Sequence, residues 1–173
     1  MSYLRYCVVL ICLVFWGCQP FVLQQYIVKT ETDEFSGNTR HFMQWNYVPG
    51  DRGGTVYLNA QIIINEDKVR NIYLNILYAA NDWLFIEEGN SLMFLINGEK
   101  LLLSTSGDIQ RKVIGGYGIN EVAWYKISLE DFKKLIFAEE VKFKLSGKHV
   151  YLTRLLTPMN KKRFAEFYNQ YLN

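Results

Sequence analysis

Apolar residues recur at every second position along most of this chain, the period of a strand with one covered face. Thr55 to Asn65 shows it most clearly, with Val56, Leu58, Ala60, Ile62 and Ile64 alternating against Tyr57, Asn59 and Gln61. Asn71 to Ala79 repeats the pattern with Ile72, Leu74, Ile76 and Tyr78. Phe21 to Lys29, Arg40 to Tyr47 and the shorter Trp83 to Glu87 read as further strands, and Pro49-Gly50-Asp51-Arg52-Gly53-Gly54 reads as a turn.

Two segments predict hairpins. Leu92 to Leu103 is centred on Asn97-Gly98, a dipeptide that tolerates the two successive positive φ angles of a type I′ turn. A two-residue loop pairs Leu95 with Lys100, Phe94 with Leu101 and Leu92 with Leu103. Both faces are then largely apolar, which predicts cover on both sides. Val141 to Arg154 is centred on Gly147-Lys148. The same loop length pairs Leu145 with Val150 and Phe143 with Leu152, and places Arg154 opposite Val141 at the rim of the apolar face.

Helical spacing enters only near the end. Ser128-Leu-Glu-Asp131 resembles a capping box ahead of Phe132, Leu135 and Ile136. Thr157-Pro158 supplies an N-cap and a first-position proline. Phe164, Phe167, Tyr168, Tyr171 and Leu172 then fall on one stripe able to cover a sheet face. The expected fold is mainly β: an antiparallel β-sandwich or barrel with a short helix and an amphipathic C-terminal helix.

The first residues follow a different logic. Arg5 precedes an unbroken apolar run from Cys7 to Trp16, and small Gly17 follows. Such a run spans about 15 Å as a helix, roughly half a hydrocarbon core, so it reads as a secretory signal and not as an anchor. At Gly17-Cys18 the segment resembles the lipobox of bacterial lipoproteins, although Phe15 stands where leucine is usual. The resemblance implies a signal peptide over 1–17, removal of it before Cys18, and acylation of that cysteine. Residues 18–173 would then form one lipid-anchored β-rich domain in the cell envelope, outside the cytoplasm. Two or three acyl chains hold a protein durably, at about 0.8 kcal/mol per buried methylene.

Composition sharpens this division. The three cysteines (Cys7, Cys12 and Cys18) all precede residue 19, so the domain behind them contains no pair for a disulfide and must rely on its core. Aromatics at 16% and hydrophobic residues at 50% mark a folded chain. Charge is uneven: residues 18–125 carry 8 basic and 12 acidic side chains, and residues 126–173 carry 10 basic and 5 acidic. The basic end, with Lys133, Lys134, Lys142, Lys144, Lys148, Lys161, Lys162 and Arg163, reads either as a solvated face or as an attraction to an anionic envelope component. An export signal argues against nucleic acid as partner.

Familiar catalytic patterns are missing. His41 and His149 have no spaced partner for zinc or acid–base work, and no nucleophile elbow, phosphate loop or dinucleotide fingerprint occurs. Gly115-Gly116-Tyr117-Gly118 precedes a strand-like segment and not a phosphate-cradling helix. Glu87-Glu88 and Glu139-Glu140 read as solvated turns. No cofactor is expected. The sequence favours a non-enzymatic binding or interaction module, for which Trp45, Tyr117 and Arg154 are the candidate contacts, being aromatic or arginine near turns or a strand rim. The alternative is a carrier of a small apolar ligand, since the strands, aromatics and terminal helix loosely resemble a lipocalin, without a Gly-x-Trp at the first strand. A hydrolase of envelope polymers, with carboxylates that sequence cannot pair, is a third class.

Overall fold

The computed structural model describes residues 27–51, 53–116 and 118–173. The expected signal segment over 1–17, Cys18, most of the expected strand from Phe21 to Lys29, and Tyr117 lie outside the described residues. Eleven strands and two helices follow in the order β1 (Ile27–Thr32), β2 (Thr39–Gln44), β3 (Tyr47–Val48), β4 (Thr55–Ile64), β5 (Arg70–Ala80), β6 (Leu92–Ile96), β7 (Glu99–Leu103), β8 (Gln110–Ile114), β9 (Gly118–Ile127), α1 (Leu129–Phe137), β10 (Val141–Ser146), β11 (Tyr151–Leu155) and α2 (Pro158–Tyr171). The fold is mainly β. A curled, seven-stranded antiparallel sheet runs β1-β2-β4-β5-β9-β8, with β3 also on β4. A second, four-stranded sheet runs β11-β10-β6-β7.

The two sheets and the helices share one core. Val56, Leu58, Ala60 and Ile62 of β4 are fully buried, as are Leu74 and Ile76 of β5, Ala123 and Tyr125 of β9, and Leu92, Phe94, Val141 and Leu145 of the smaller sheet. Burial pushes the Tyr125 phenol up to about 12, and its hydroxyl instead bonds the Ser91 hydroxyl at 2.9 Å. Both helices start at the expected caps. The Ser128 hydroxyl accepts from the Asp131 N–H, and Thr157 forms a reciprocal capping box with Asn160. Phe164 and Phe167 are buried as the stripe on α2 predicts, with Phe164 edge-on to Phe132 of α1 at 5.5 Å and Tyr171 stacked on His41 of β2 at 4.4 Å. Among the described residues no helix is long and apolar enough to cross a membrane.

The sheets are joined by a buried carboxylate. Glu121 of β9 is 0% exposed and points into the core. Its oxygens accept the backbone N–H groups of Leu84, Phe85 and Ile86 at 2.7, 2.8 and 2.8 Å. Arg111 of β8 completes the group, 3.3 Å from the same carboxylate and donating at 2.8 Å to the Ile86 carbonyl. Residues 84–86 in turn reach the smaller sheet: Ile86 bridges Gly147, and the Lys148 N–H donates to the Phe85 carbonyl. This answers the Trp83 to Glu87 expectation. The segment is extended but forms no ladder, because its amides are spent on Glu121 and Phe85 sits at φ +54°.

Register follows the sequence in one hairpin and departs in the other. Leu95, Phe94 and Leu92 pair with Lys100, Leu101 and Leu103 as expected, with Asn97 and Gly98 at φ 49° and 89°. Cover is on one face only. Met93 and Leu95 are half-buried and Leu102 is exposed on the outer face, which they share with Lys100, Lys142 and Lys144. In the β10–β11 hairpin, Leu145 pairs with Leu152 and Phe143 with Arg154, two residues from the predicted register. Gly147 is the cause. It approaches residues 84–86 so closely that a Cβ there would lie 2.0 Å from the Leu84 carbonyl oxygen, so the turn lengthens around it. A shift of two keeps Leu152 and Arg154 on their predicted face but leaves Val150, expected opposite Leu145, exposed in the turn.

Two outcomes test this account. Glu121→Gln should lose about 3 kcal/mol, since it replaces a charged acceptor of several amides by a group with one acceptor oxygen and an unplaceable donor. Urea unfolding with an unchanged m-value reads that loss. Burial also holds the His41 imidazole below its ordinary 6.5. The unfolded chain therefore binds this proton first, and the neutral ring's contribution is complete above about pH 6.5 and fades as pH falls through the lowered value. His41→Phe keeps the stack on Tyr171 and should flatten that part of the Tm profile between about pH 7 and about pH 5.

Candidate functional site

The face of the large, curled sheet turned away from the core holds a half-open groove of about 220 Å³. Cross-strand register builds it. Asn59 of β4 lies beside Asn75 of β5, which lies beside Trp124 of β9. The adjacent row carries Tyr57, Leu77 and Val122, and Gln61 sits beside Phe42 of β2. Gln44, Arg40 and Trp45 close the side nearest β2.

Trp45 forms the lip, and its backbone is strained to do so. It sits at φ +64°, a left-handed conformation that costs a bulky residue about 1–2 kcal/mol. Its neighbours hold it there. The Asn46 N–H donates to the Asn59 side-chain oxygen at 3.0 Å, and the Asn46 carbonyl accepts from Leu58. From α2, buried Asn160 donates to the Asn46 side chain at 2.8 Å and to the Tyr47 carbonyl at 2.6 Å, while Arg163 donates to the Trp45 carbonyl at 2.9 Å. The indole lies edge-on to Tyr57, 5.4 Å between centroids, and stays 38% exposed. A helix at the end of the chain thus aims an aromatic ring across the sheet.

The floor sets uncharged amides among apolar side chains such as Leu77 and Val122. Asn59 and Gln61 are each 7% exposed, yet the Gln61 amide has no hydrogen-bond partner among the described residues and borders the groove. Asn75 and Gln44 likewise present their amides without a protein partner. Arg40 is ion-paired with Glu31 and lies 4.7 Å over the Phe42 ring. Among the described residues no carboxylate lines the groove, and no group of His, Cys, Asp and Glu could hold a metal ion. The site therefore offers flat rings, and amides that both donate and accept. It offers no nucleophile–base pair and no acid.

Of the residues singled out from sequence, Trp45 lies at this groove and Arg154 does not. Arg154 is 5% exposed on the inner face of the smaller sheet, where it donates to the carbonyls of Gly53 and Gly54 at 3.4 and 3.2 Å and borders a separate open cleft of about 410 Å³. Tyr117 lies outside the described residues. Tyr57, Gln61, Asn75 and Trp124 were not singled out. Their signal was the polar or aromatic alternate of each strand, which periodicity assigns to an outer face without saying that the face is hollow.

Much of the basic C-terminal end has local work. Lys161 donates to the carbonyls of Ala138 and Glu139 at the end of α1, and Lys134 pairs with Glu130 and Asp131. Lys133 lies over the Tyr168 ring and Lys162 sits 3.9 Å from Glu166. Lys142 and Lys144 remain on the outer face of the smaller sheet, Lys144 over Tyr151 at 4.2 Å.

Trp45→Asn suits the left-handed backbone and should keep stability within about 1 kcal/mol of the wild type while removing the lip. Asn160→Ala should cost about 2–3 kcal/mol and shift the tryptophan emission, because it frees the kink beneath Trp45. Chemical denaturation and fluorescence on the two variants check both outcomes. Set against protein-family models, curated proteins and solved structures, the chain finds no match.

Proposed function

We propose that this chain is an exported protein, held in a bacterial cell envelope by acyl chains on Cys18, that acts as a non-enzymatic binding module through the concave groove of its large sheet. The lipobox-like leader supports the address. The groove supports the activity, and one observation carries it: Trp45 is kept in a strained conformation by buried contacts from a distant helix, and it lines the same groove as amides that have no partner among the described residues. Strain of this kind persists where the surroundings over-determine it, and it clusters at ligand sites.

The same geometry favours this reading over an apolar carrier and over a hydrolase. Carriers enclose their ligand, whereas the large sheet is an open path from β1 to β8 and its groove is half-open to solvent. An apolar ligand would also strip water from the amides of Gln44, Gln61 and Asn75 without replacing its hydrogen bonds, at about 1–3 kcal/mol each. Hydrolysis of a glycosidic bond needs two converging carboxylates, and this groove has none.

Metabolic labelling with a fatty acid tests the anchor. The wild type should incorporate label and Cys18→Ala should not; an unlabelled wild type still beginning at Met1 overturns the address. Envelope fractions captured on the tethered protein and lost on Trp45→Asn, but not on a substitution at exposed Lys100, would support the groove as the binding surface.

A further inference from the structure

We infer that the groove binds an uncharged, hydroxyl-rich ligand, a neutral saccharide unit within a longer glycan. The inference rests on the groove being the binding surface and adds the chemical class of what it takes. A sugar ring has two recognition features: a face of C–H groups that packs on an aromatic ring, and vicinal hydroxyls that each donate and accept. The groove matches both. Trp45 and Trp124 supply rings on opposite sides, on the lip and on β9. Gln61 and Asn75 lie between them on the floor, and an amide can donate to one hydroxyl while accepting from its neighbour.

Gln61 decides the polarity. It is 7% exposed and unpartnered among the described residues, so its amide faces the groove with its hydrogen-bonding capacity left to water or a ligand. Charge decides the rest. Among the described residues the one ionic side chain lining the groove is Arg40, which is already paired with Glu31 and stacked on Phe42, and no carboxylate lines it. Neither an anionic nor a cationic ligand finds an uncommitted counter-charge. The volume of about 220 Å³ and the half-open shape suit a short stretch of a chain that continues past both ends, as a polymer does.

Detergent-solubilised full-length protein should be titrated with neutral gluco-, manno- and N-acetylglucosamine oligosaccharides, with an acidic oligosaccharide, and with the uncharged apolar dye N-phenyl-1-naphthylamine. Calorimetry and tryptophan emission serve as readouts. At least one neutral oligosaccharide should bind with a Kd in roughly the micromolar to millimolar range, insensitive to salt. Gln61→Leu, which keeps a buried position filled, and Trp124→Ala should each weaken it about tenfold, with the circular-dichroism spectrum unchanged. Dye binding without saccharide binding, strengthened by Gln61→Leu, overturns the inference while leaving the groove as a site. Salt-dependent binding of the acidic oligosaccharide, lost on Arg40→Gln, does the same. Binding of no probe, together with envelope capture unaffected by Trp45→Asn, overturns both the inference and the groove.

Discussion

A fully buried carboxylate is tolerable only when its lone pairs are filled, and Glu121 meets that condition with backbone amides from a segment that has no ladder of its own. Cause and consequence run in both directions. Without residues 84–86, the charge would be stranded in an apolar core. Without the charge, those amides would be buried with nothing to accept them. Because the segment also touches Gly147 and Lys148, the ion fixes how the two sheets are set against each other. The three cysteines all precede residue 19, so the described residues have no covalent means to that end, and this polar joint sets the sheets together without a disulfide.

The groove depends on a second set of buried polar contacts. Asn46, Asn59 and Asn160 link the β2–β3 kink, the middle of the large sheet and the first turn of α2. Asn160 thereby has two duties: it closes the capping box of its own helix and holds the kink in place. Placing the most exposed element of the site over strands from the centre of the sheet gives a ligand a floor that is ordered in advance, which lowers the entropy lost on binding.

What could be read from the sequence was whatever local chemistry decides. The alternation in β4 and β5, the Asn97-Gly98 register, and the Ser128 and Thr157 caps are each set within a few residues, and each appears as expected. What was hidden is non-local. Glu121 and its donor segment are separated by 35 to 37 positions, and Asn160 meets Asn46 across 114. The two-residue shift in β10–β11 arises the same way, from a neighbour that local turn rules do not include. The lysines at the basic end read as one surface by composition, yet several act as caps and pair members. Periodicity marked Gln61 and Asn75 as outward-facing; only the curl of the sheet makes outward mean enclosed.

Strand β9 carries the interdomain-like joint and the groove wall at once, because alternate residues point to opposite faces. Glu121 is flanked by Asn120 and Val122, and Trp124 stands one pleat further on. Any change that retunes recognition at positions 122 or 124 therefore acts on the backbone that aims the buried ion. Substitution in the groove lining is consequently steered toward β2, β4 and the Trp45 lip, where side chains can be exchanged without disturbing the seam between the sheets.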